Sequence, residues 1–208
     1  MIEAPVLPPL LDLGGTAVFA LSGALMAARL RQTFVTCAFF ALLTGVGGGS
    51  VRDALLGVPA FWLRDAWVAP VVMGTALVAW FTPRQWWDRR WLEWADALGL
   101  ALFSALGVAK ALALDVAPLP AVILGIVTGC VGGIVRDVIA GLPSILMRPE
   151  LYVTAAALSS ALCAGLILWG MAQPLAMGLA ALAGFTLRGA AMVWTIELPA
   201  YGGKSADQ

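Results

Sequence analysis

The chain has 208 residues, 62% hydrophobic and 12% charged, with a formal net charge of zero and no histidine. Soluble domains average roughly 45–50% apolar and 25% charged residues, so water is not the main solvent of this protein. The charge balance leaves no basic tract for nucleic acid. Cys37, Cys130 and Cys163 stand singly without metal-ligand spacing, which makes them small packing residues.

A bilayer core about 30 Å thick takes roughly 20 helical residues to cross, and seven segments are predicted as transmembrane helices. The first runs over about 10–30. Met1–Leu10 lacks the basic start of a cleaved signal, so this segment is expected to be retained. It carries Asp12 near its start, and Gly14, Gly15, Ser22 and Gly23 suit close packing against other helices. The second segment, 33–57, contains Thr44, Gly45, Val46, Gly47, Gly48, Gly49, Ser50, Val51, Arg52 and Asp53 in succession. The third, 66–82, follows Trp62 and Trp67, and the fourth, 93–114, follows Trp86, Trp87 and Trp91 and includes Trp94; these rings fit interfacial belts on the two sides. The fourth segment also carries Asp96 and Lys110. The fifth, 118–141, holds Thr128, Gly129, Cys130, Val131, Gly132, Gly133, Ile134, Val135, Arg136 and Asp137. The sixth, 150–170, has a small-residue face between Ala155 and Ala164 that could meet a neighbouring subunit. The seventh, 174–196, places Arg188 near one end, where a long cation snorkels to the headgroups. A polar tail, 197–208, follows, and disorder is expected from Gly202 onward.

The decapeptides of the second and fifth segments are one motif repeated at an offset of 84 residues. The register continues to Gly57 and Pro59, matched by Gly141 and Pro143, and runs back through Asp12, Gly15, Phe19 and Gly23, matched by Asp96, Gly99, Phe103 and Gly107. Three spans fall in each copy, and an odd number of crossings forces the second copy to enter the membrane upside down. The predicted fold is therefore an all-α membrane protein: a first three-helix repeat over 10–82, a second, inverted one over 93–170, and an accessory seventh helix over 174–196. Arg29, Arg31, Arg84, Arg89, Arg90, Arg148 and Lys204 fall on one face and only Arg64 on the other, which predicts an outside N-terminus and a cytoplasmic C-terminus.

Glycine costs a helix interior about 1 kcal/mol relative to alanine. Three in a row at Gly47–Gly49 are expected to bend or unwind the second helix, and Gly132 and Gly133 the fifth. The competing reading is close helix packing; the charges three residues further on favour a break that opens a water-lined path. Arg52, Asp53, Arg136 and Asp137 must face the bundle interior and find partners, since a mid-membrane charge costs about 2.5–3.5 kcal/mol. Sequence neighbours diverge on a helix and are expected not to satisfy one another. Cross-helix pairs are predicted instead, Arg52 with Asp12 and Arg136 with Asp96. A purely structural role in fixing helix geometry remains open for the arginines. Lys110 breaks the symmetry, because Met26 is its counterpart. It either snorkels or acts as a tethered cation on Asp53 or Asp115 that blocks the path. Catalysis has no support: no histidine, no activated nucleophile, no phosphate loop and no metal cluster is present in the sequence.

The doubled Gly-Gly-x-x-Arg-Asp element, with Thr-Gly before it and Gly-x-Pro after, resembles the signature of bacterial members of the trimeric intracellular cation (TRIC) channel family, over about residues 10–196. Some bacterial relatives carry the label of glycine transporters. The resemblance implies a seven-helix protomer with inverted repeats, a homotrimer, one hourglass pore per protomer and passive permeation of monovalent cations, mainly potassium, in the bacterial inner membrane. It maps the kinks to Gly47, Gly48 and Gly49 and to Gly132 and Gly133, with Val131 making the second milder. The Lys-Glu-Val motif of animal members is absent from the sequence.

At such breaks, carbonyls around Thr44–Val46 and Thr128–Cys130, with the Thr44 and Thr128 hydroxyls, would be free to coordinate permeant potassium or sodium. No cofactor is expected; membrane lipids, monovalent cations and further copies of the chain are the expected partners. A secondary transporter of glycine or a similar small solute is the second reading, with Arg52 or Arg136 holding a carboxylate. The lack of a lone mid-membrane carboxylate as coupling site tilts toward the channel.

Overall fold

Long runs of Ala, Leu and Val, with prolines confined to first turns and loops, give an all-helical fold among the described residues. A computed structural model describes residues 9–83, 89–147 and 149–199. Its helices are α1 (Pro9–Arg29), α2 (Phe34–Leu55), α3 (Val68–Phe81), α4 (Arg89–Ala113), α5 (Pro118–Ile139), α6 (Tyr152–Leu168) and α7 (Gln173–Trp194). No strand occurs among the described residues; an isolated bridge joins Glu150 and Glu197. Local chemistry sets the ends. Thr33 caps α2 by accepting from the Thr36 amide at 3.3 Å, and prolines occupy the first turns of α5 and α7, where a missing N–H is harmless.

Five helices are long and apolar enough to cross a membrane: α1, α2, α4, α5 and α7. The expected spans at 66–82 and 150–170 shrink to 14 and 17 residues. Competing local bonds take their leading residues. A 3-10 turn at Phe61–Leu63 and an Asp65 carboxylate accepting from the Trp67 amide at 2.9 Å precede α3. Before α6, Glu150 is occupied by its bridge to Glu197.

The two halves repeat one another's packing. α1 lies against α2 and α3, and α2 against α3; α4, α5 and α6 meet in the same three ways. The halves join through α1 on α4 and α2 on α5, while α7 packs on α4 and α6 and so belongs to one half only. At the join, Phe19 and Phe103 stack with ring centroids 5.2 Å apart, both fully buried. Each ring also fills the hollow of a glycine in the other half: a Cβ on Gly15 would lie 2.7 Å from Phe103, and one on Gly99 would lie 2.7 Å from Phe19.

The face of α6 from Ala155 to Ala164 is not free for a neighbouring subunit. Ala155, Ala156, Ser159, Ser160, Cys163 and Ala164 are buried within the protomer, with the Ser159 hydroxyl donating to the Ala101 carbonyl of α4 at 2.9 Å. Small residues there let α4 approach closely. All three cysteines are buried packing residues. Of the expected aromatic belts, Trp62 and Trp67 are exposed before α3 and Trp91 is exposed on α4. Trp94 instead turns inward against Phe185 of α7, with ring centroids 5.5 Å apart. Trp86, Trp87, Arg84, Arg148, Lys204 and the tail from Gly202 lie outside the described residues.

Candidate functional site

The glycine motifs do not unwind their helices. α2 is continuous through Gly47–Gly49 and α5 through Gly132 and Gly133. In place of the expected break, α2 and α5 cross with their backbones in contact. A Cβ on Gly48 would overlap the Thr128 carbonyl oxygen, and one on Gly132 would sit 2.8 Å from the Thr44 carbonyl oxygen. Each strand of the crossing thus presents a carbonyl to the other's bare Cα, the geometry of Cα–H···O contacts. The flanking glycines admit the neighbouring helices in the same way: a Cβ on Gly45 would lie 3.1 Å from the Thr16 carbonyl oxygen of α1, and one on Gly129 would lie 2.8 Å from the Leu100 carbonyl oxygen of α4. A Cβ on Gly47 would meet only the Gly132 Cα, at 4.0 Å, an ordinary van der Waals contact.

Continuity also changes the expected carbonyl ligands. The Val46 carbonyl accepts from the Ser50 hydroxyl at 2.7 Å, and the Leu124 carbonyl from the Thr128 hydroxyl at 2.6 Å. Thr44 and Thr128 are fully buried, and the Thr44 hydroxyl has no hydrogen-bond partner among the described residues.

Beyond the crossing, each copy ends in the same device. Gly57 and Gly141 adopt φ of +69° and +68°, which only glycine takes without strain. Their amides donate to Ala54 and Val138, and the next amides, Val58 and Leu142, donate to the Asp53 and Asp137 carbonyls. This is the Schellman stop, and the following proline prevents further helix. It turns the chain back so that Asp53 Oδ2 accepts from the Phe61 amide at 2.8 Å and Asp137 Oδ2 accepts from the Ile145 amide at 3.0 Å. The spacing Arg-Asp-x-x-x-Gly-x-Pro is therefore one folding unit.

The first charge cluster joins α1, α2 and α4. Arg52 Nε donates to Asp53 Oδ1 at 2.7 Å, and Lys110 Nζ donates to the same oxygen at 2.7 Å. Arg52 Nη1 lies 3.7 Å from Asp12 Oδ1, and the guanidinium stands 5.6 Å from the centre of the Phe61 ring. Arg52 and Asp53 are fully buried. One expectation is corrected, and of the two readings of Lys110 the pair with Asp53 is the one that forms. Adjacent Arg and Asp do satisfy one another, because the arginine stem is long enough to fold back along its own helix. Lys110 does not snorkel: its ammonium is held inward by Asp53.

The second cluster, at the opposite end of the α2–α5 crossing, joins α5, α4 and α1. Arg136 Nη1 donates to Asp96 Oδ1 at 2.6 Å and to the Ser22 hydroxyl at 3.2 Å, while its Nε donates to Asp137 Oδ1 at 2.9 Å. Met26, on α1, is buried at the position that corresponds to Lys110 of the first cluster. One guanidinium therefore faces two carboxylates, whereas the first cluster has two cations for two carboxylates. Of the two expected cross-helix pairs, Arg136–Asp96 is hydrogen-bonded, whereas Arg52 and Asp12 approach to 3.7 Å without a hydrogen bond. Ser22, read from the sequence as a packing residue, is a ligand of Arg136. This cluster borders a cavity of about 280 Å³ lined also by Arg29, Glu93, Glu150 and Arg188. Arg188 is buried and ion-paired with Glu150, its guanidinium 5.5 Å from the centre of the Tyr152 ring, so it does not reach for headgroups either. Sequence reasoning missed Glu150 and Tyr152, which lie outside the doubled motif. Among the described residues no group of His, Cys, Asp and Glu is placed to hold a metal ion.

A multi-pass helical membrane protein with the same buried Arg-Asp unit at each end of a glycine crossing belongs to the transport class rather than to the enzymes. A family model described as "Glycine transporter" matches twice, over residues 9–84 and 93–167, the same 84-residue offset as the motif. The chain is 35% identical over 198 residues to a UPF0126 membrane protein of Vibrio cholerae, covering 92% of this chain and 82% of that one. It is 37% identical over 150 residues to the UPF0126 inner membrane protein YadS of Escherichia coli, covering 70% and 72%. Among solved structures it is similar to the TRIC trimeric intracellular cation channel orthologue from Rhodobacter sphaeroides, with a TM-score of 0.82 and 35% identity over 90% of this chain and 98% of that one. The chain belongs to this family of bacterial TRIC and UPF0126 membrane proteins.

Proposed function

We propose that the protein is a potassium-permeable cation channel of the bacterial inner membrane, a homotrimer with one pore in each protomer. The observation that carries this reading is the likeness of nearly the whole helical fold to the Rhodobacter TRIC channel. The two halves are read as inverted repeats, with the N-terminus outside and the C-terminus cytoplasmic. That arrangement puts the Asp12–Arg52–Asp53–Lys110 cluster in the outer half and the Asp96–Arg136–Asp137 cluster in the inner half. The matching contacts within each half support it.

The pore is proposed to follow the α2–α5 crossing, past Thr44, Gly45, Gly47, Gly48 and Gly49 and past Thr128, Gly129, Gly132 and Gly133. Helical carbonyls keep a second lone pair. If α2 and α5 part slightly, the Thr44 and Thr128 carbonyls that now abut the opposite glycines become ligands for a dehydrating monovalent cation. Such neutral oxygens suit potassium or sodium better than a divalent ion. Val46 and Cys130 are secondary candidates, and the Val46 carbonyl already serves Ser50. Lys110 acts in this reading as a tethered cation on Asp53 at the outer end.

A second reading, a carrier for glycine, is favoured by one local feature. Arg52 Nη1 and Nη2 and Asp12 Oδ1 are buried without hydrogen-bond partners, a pairing complementary to a zwitterion's two charges. Planar-bilayer recording of the purified protein in a KCl gradient separates the two. Unitary cation steps are expected; a silent bilayer together with saturable glycine uptake into proteoliposomes overturns the channel.

A further inference from the structure

The seventh helix has no counterpart in the other half, and its one charged side chain, Arg188, is buried beside the cavity that reaches the second charge cluster. Two cavities of about 280 Å³ each lie at the end of the bundle where α1, α5 and α7 finish. The deeper one reaches Asp96, Arg136 and Asp137; the other is lined by Arg90, Thr195 and Glu197. Glu93, Glu150 and Arg188 line both, so the Arg188–Glu150 ion pair stands in the partition between them.

Both partners are pinned. Arg188 sits against the Tyr152 ring and is almost fully buried. Glu150 lies in a backbone bridge with Glu197, and the Leu198 amide donates to the Pro149 carbonyl at 2.7 Å. The chain reaches these positions by reversing at Thr195, which ends α7 with φ of +50°. The segment after α7 thereby holds the carboxylate that α7's own arginine engages.

We propose that Arg188–Glu150 is the entry gate to the second charge cluster and sets its ionic preference. Closed, the pair divides the approach into two pockets. Parted, it joins them into a single passage. The deeper cavity holds four carboxylates and three guanidinium groups; Arg188 thus offsets an acidic approach that would otherwise draw cations more strongly. This rests on the channel reading of the same cluster.

The test uses full-length protein carrying Met26→Cys, which places a thiol in the deeper cavity, with and without Arg188→Met. Labelling by a membrane-impermeant methanethiosulfonate is followed from the C-terminal side, and the buried native cysteines give the background. Arg188→Met is expected to speed labelling and to raise K⁺ flux by about fivefold or more, the lower range for a coupling of this kind. The charge swap Arg188→Glu with Glu150→Arg, checked for monodispersity, is expected to restore the parental rates. Unchanged labelling in Arg188→Met, or a well-folded swap as open as the single variant, overturns the gate. If the parent carries no current, the channel reading fails, and the labelling rates still decide whether this pair occludes the cavity.

Discussion

Replacing Gly48 with alanine opposes two effects of known size. In a helix interior alanine is favoured over glycine by about 1 kcal/mol, so a glycine kept only to loosen α2 would yield a stabilised protein on substitution. At Gly48, however, the new methyl overlaps a backbone carbonyl, that of Thr128, which no rotamer change can move aside. Overpacking of this kind costs about 1–3 kcal/mol and more where backbone must shift. A net loss of about 2 kcal/mol corresponds to roughly 4–8 °C in a protein of this size. Gly47→Ala is the internal control, because its nearest neighbour is the Gly132 Cα at 4.0 Å and the propensity gain should prevail. Thermal stability in detergent, read as the monodisperse fraction after heating, should therefore fall for Gly48→Ala and hold or rise for Gly47→Ala. If both variants are equally stable, the crossing is not held by glycine.

Gly57→Ala and Gly141→Ala should each cost about 1–2 kcal/mol from the left-handed backbone alone, and to a similar extent, since their φ values match; unequal midpoints in the same heating assay would separate the two stops. Asp96→Asn should destabilise more than Asp12→Asn: Asp96 lies 2.6 Å from Arg136 and is buried, whereas Asp12 lies 3.7 Å from Arg52 and its side chain is 16% exposed. Stripping a buried cation of one partner costs up to about 3–5 kcal/mol, and equal yields of folded protein from the two variants would contradict that ranking. Lys110→Met gives α4 the residue that α1 carries at the matching position, Met26, and is expected to alter the voltage dependence of the current; an unchanged current–voltage relation would remove Lys110 from gating.

The helices were legible because composition and length leave few alternatives, and the doubled decapeptide marked both charge clusters. The Arg52–Asp12 and Arg136–Asp96 pairs followed from one argument, that a charge inside a bilayer needs a partner on the nearest polar position of an adjacent helix. For α2 and α5 the sequence leaves a break and close packing both open, and the charges that follow favour the wrong one; whether glycine loosens a helix or lets another one touch it depends on what stands opposite, and Thr44 and Thr128 are 84 residues apart. Arg188 looks isolated along its own helix and reads as snorkelling, whereas Lys110 reads either that way or as a cation tethered to Asp53 or Asp115. Their partners, Asp53 and Glu150, come from other elements. The last turn of the Arg-Asp unit, where an aspartate reaches the amide eight residues on, needed the Schellman geometry to be seen.

The exchange of rings and hollows between Phe19 and Gly99 and between Phe103 and Gly15 makes the join self-complementary. Two copies of one unit carrying one phenylalanine and one glycine suffice to form both contacts, and in a single chain each position can differ on its own. Divergence is visible one turn away: Gly49 is covered by Phe61 of its own half, while its counterpart Gly133 is covered by Tyr152. Tyr152 is also the ring against which Arg188 rests. The duplicated ground plan thus tolerates asymmetry at its rim, where a seventh helix could be recruited, while its centre is still bound by the matching of one half to the other.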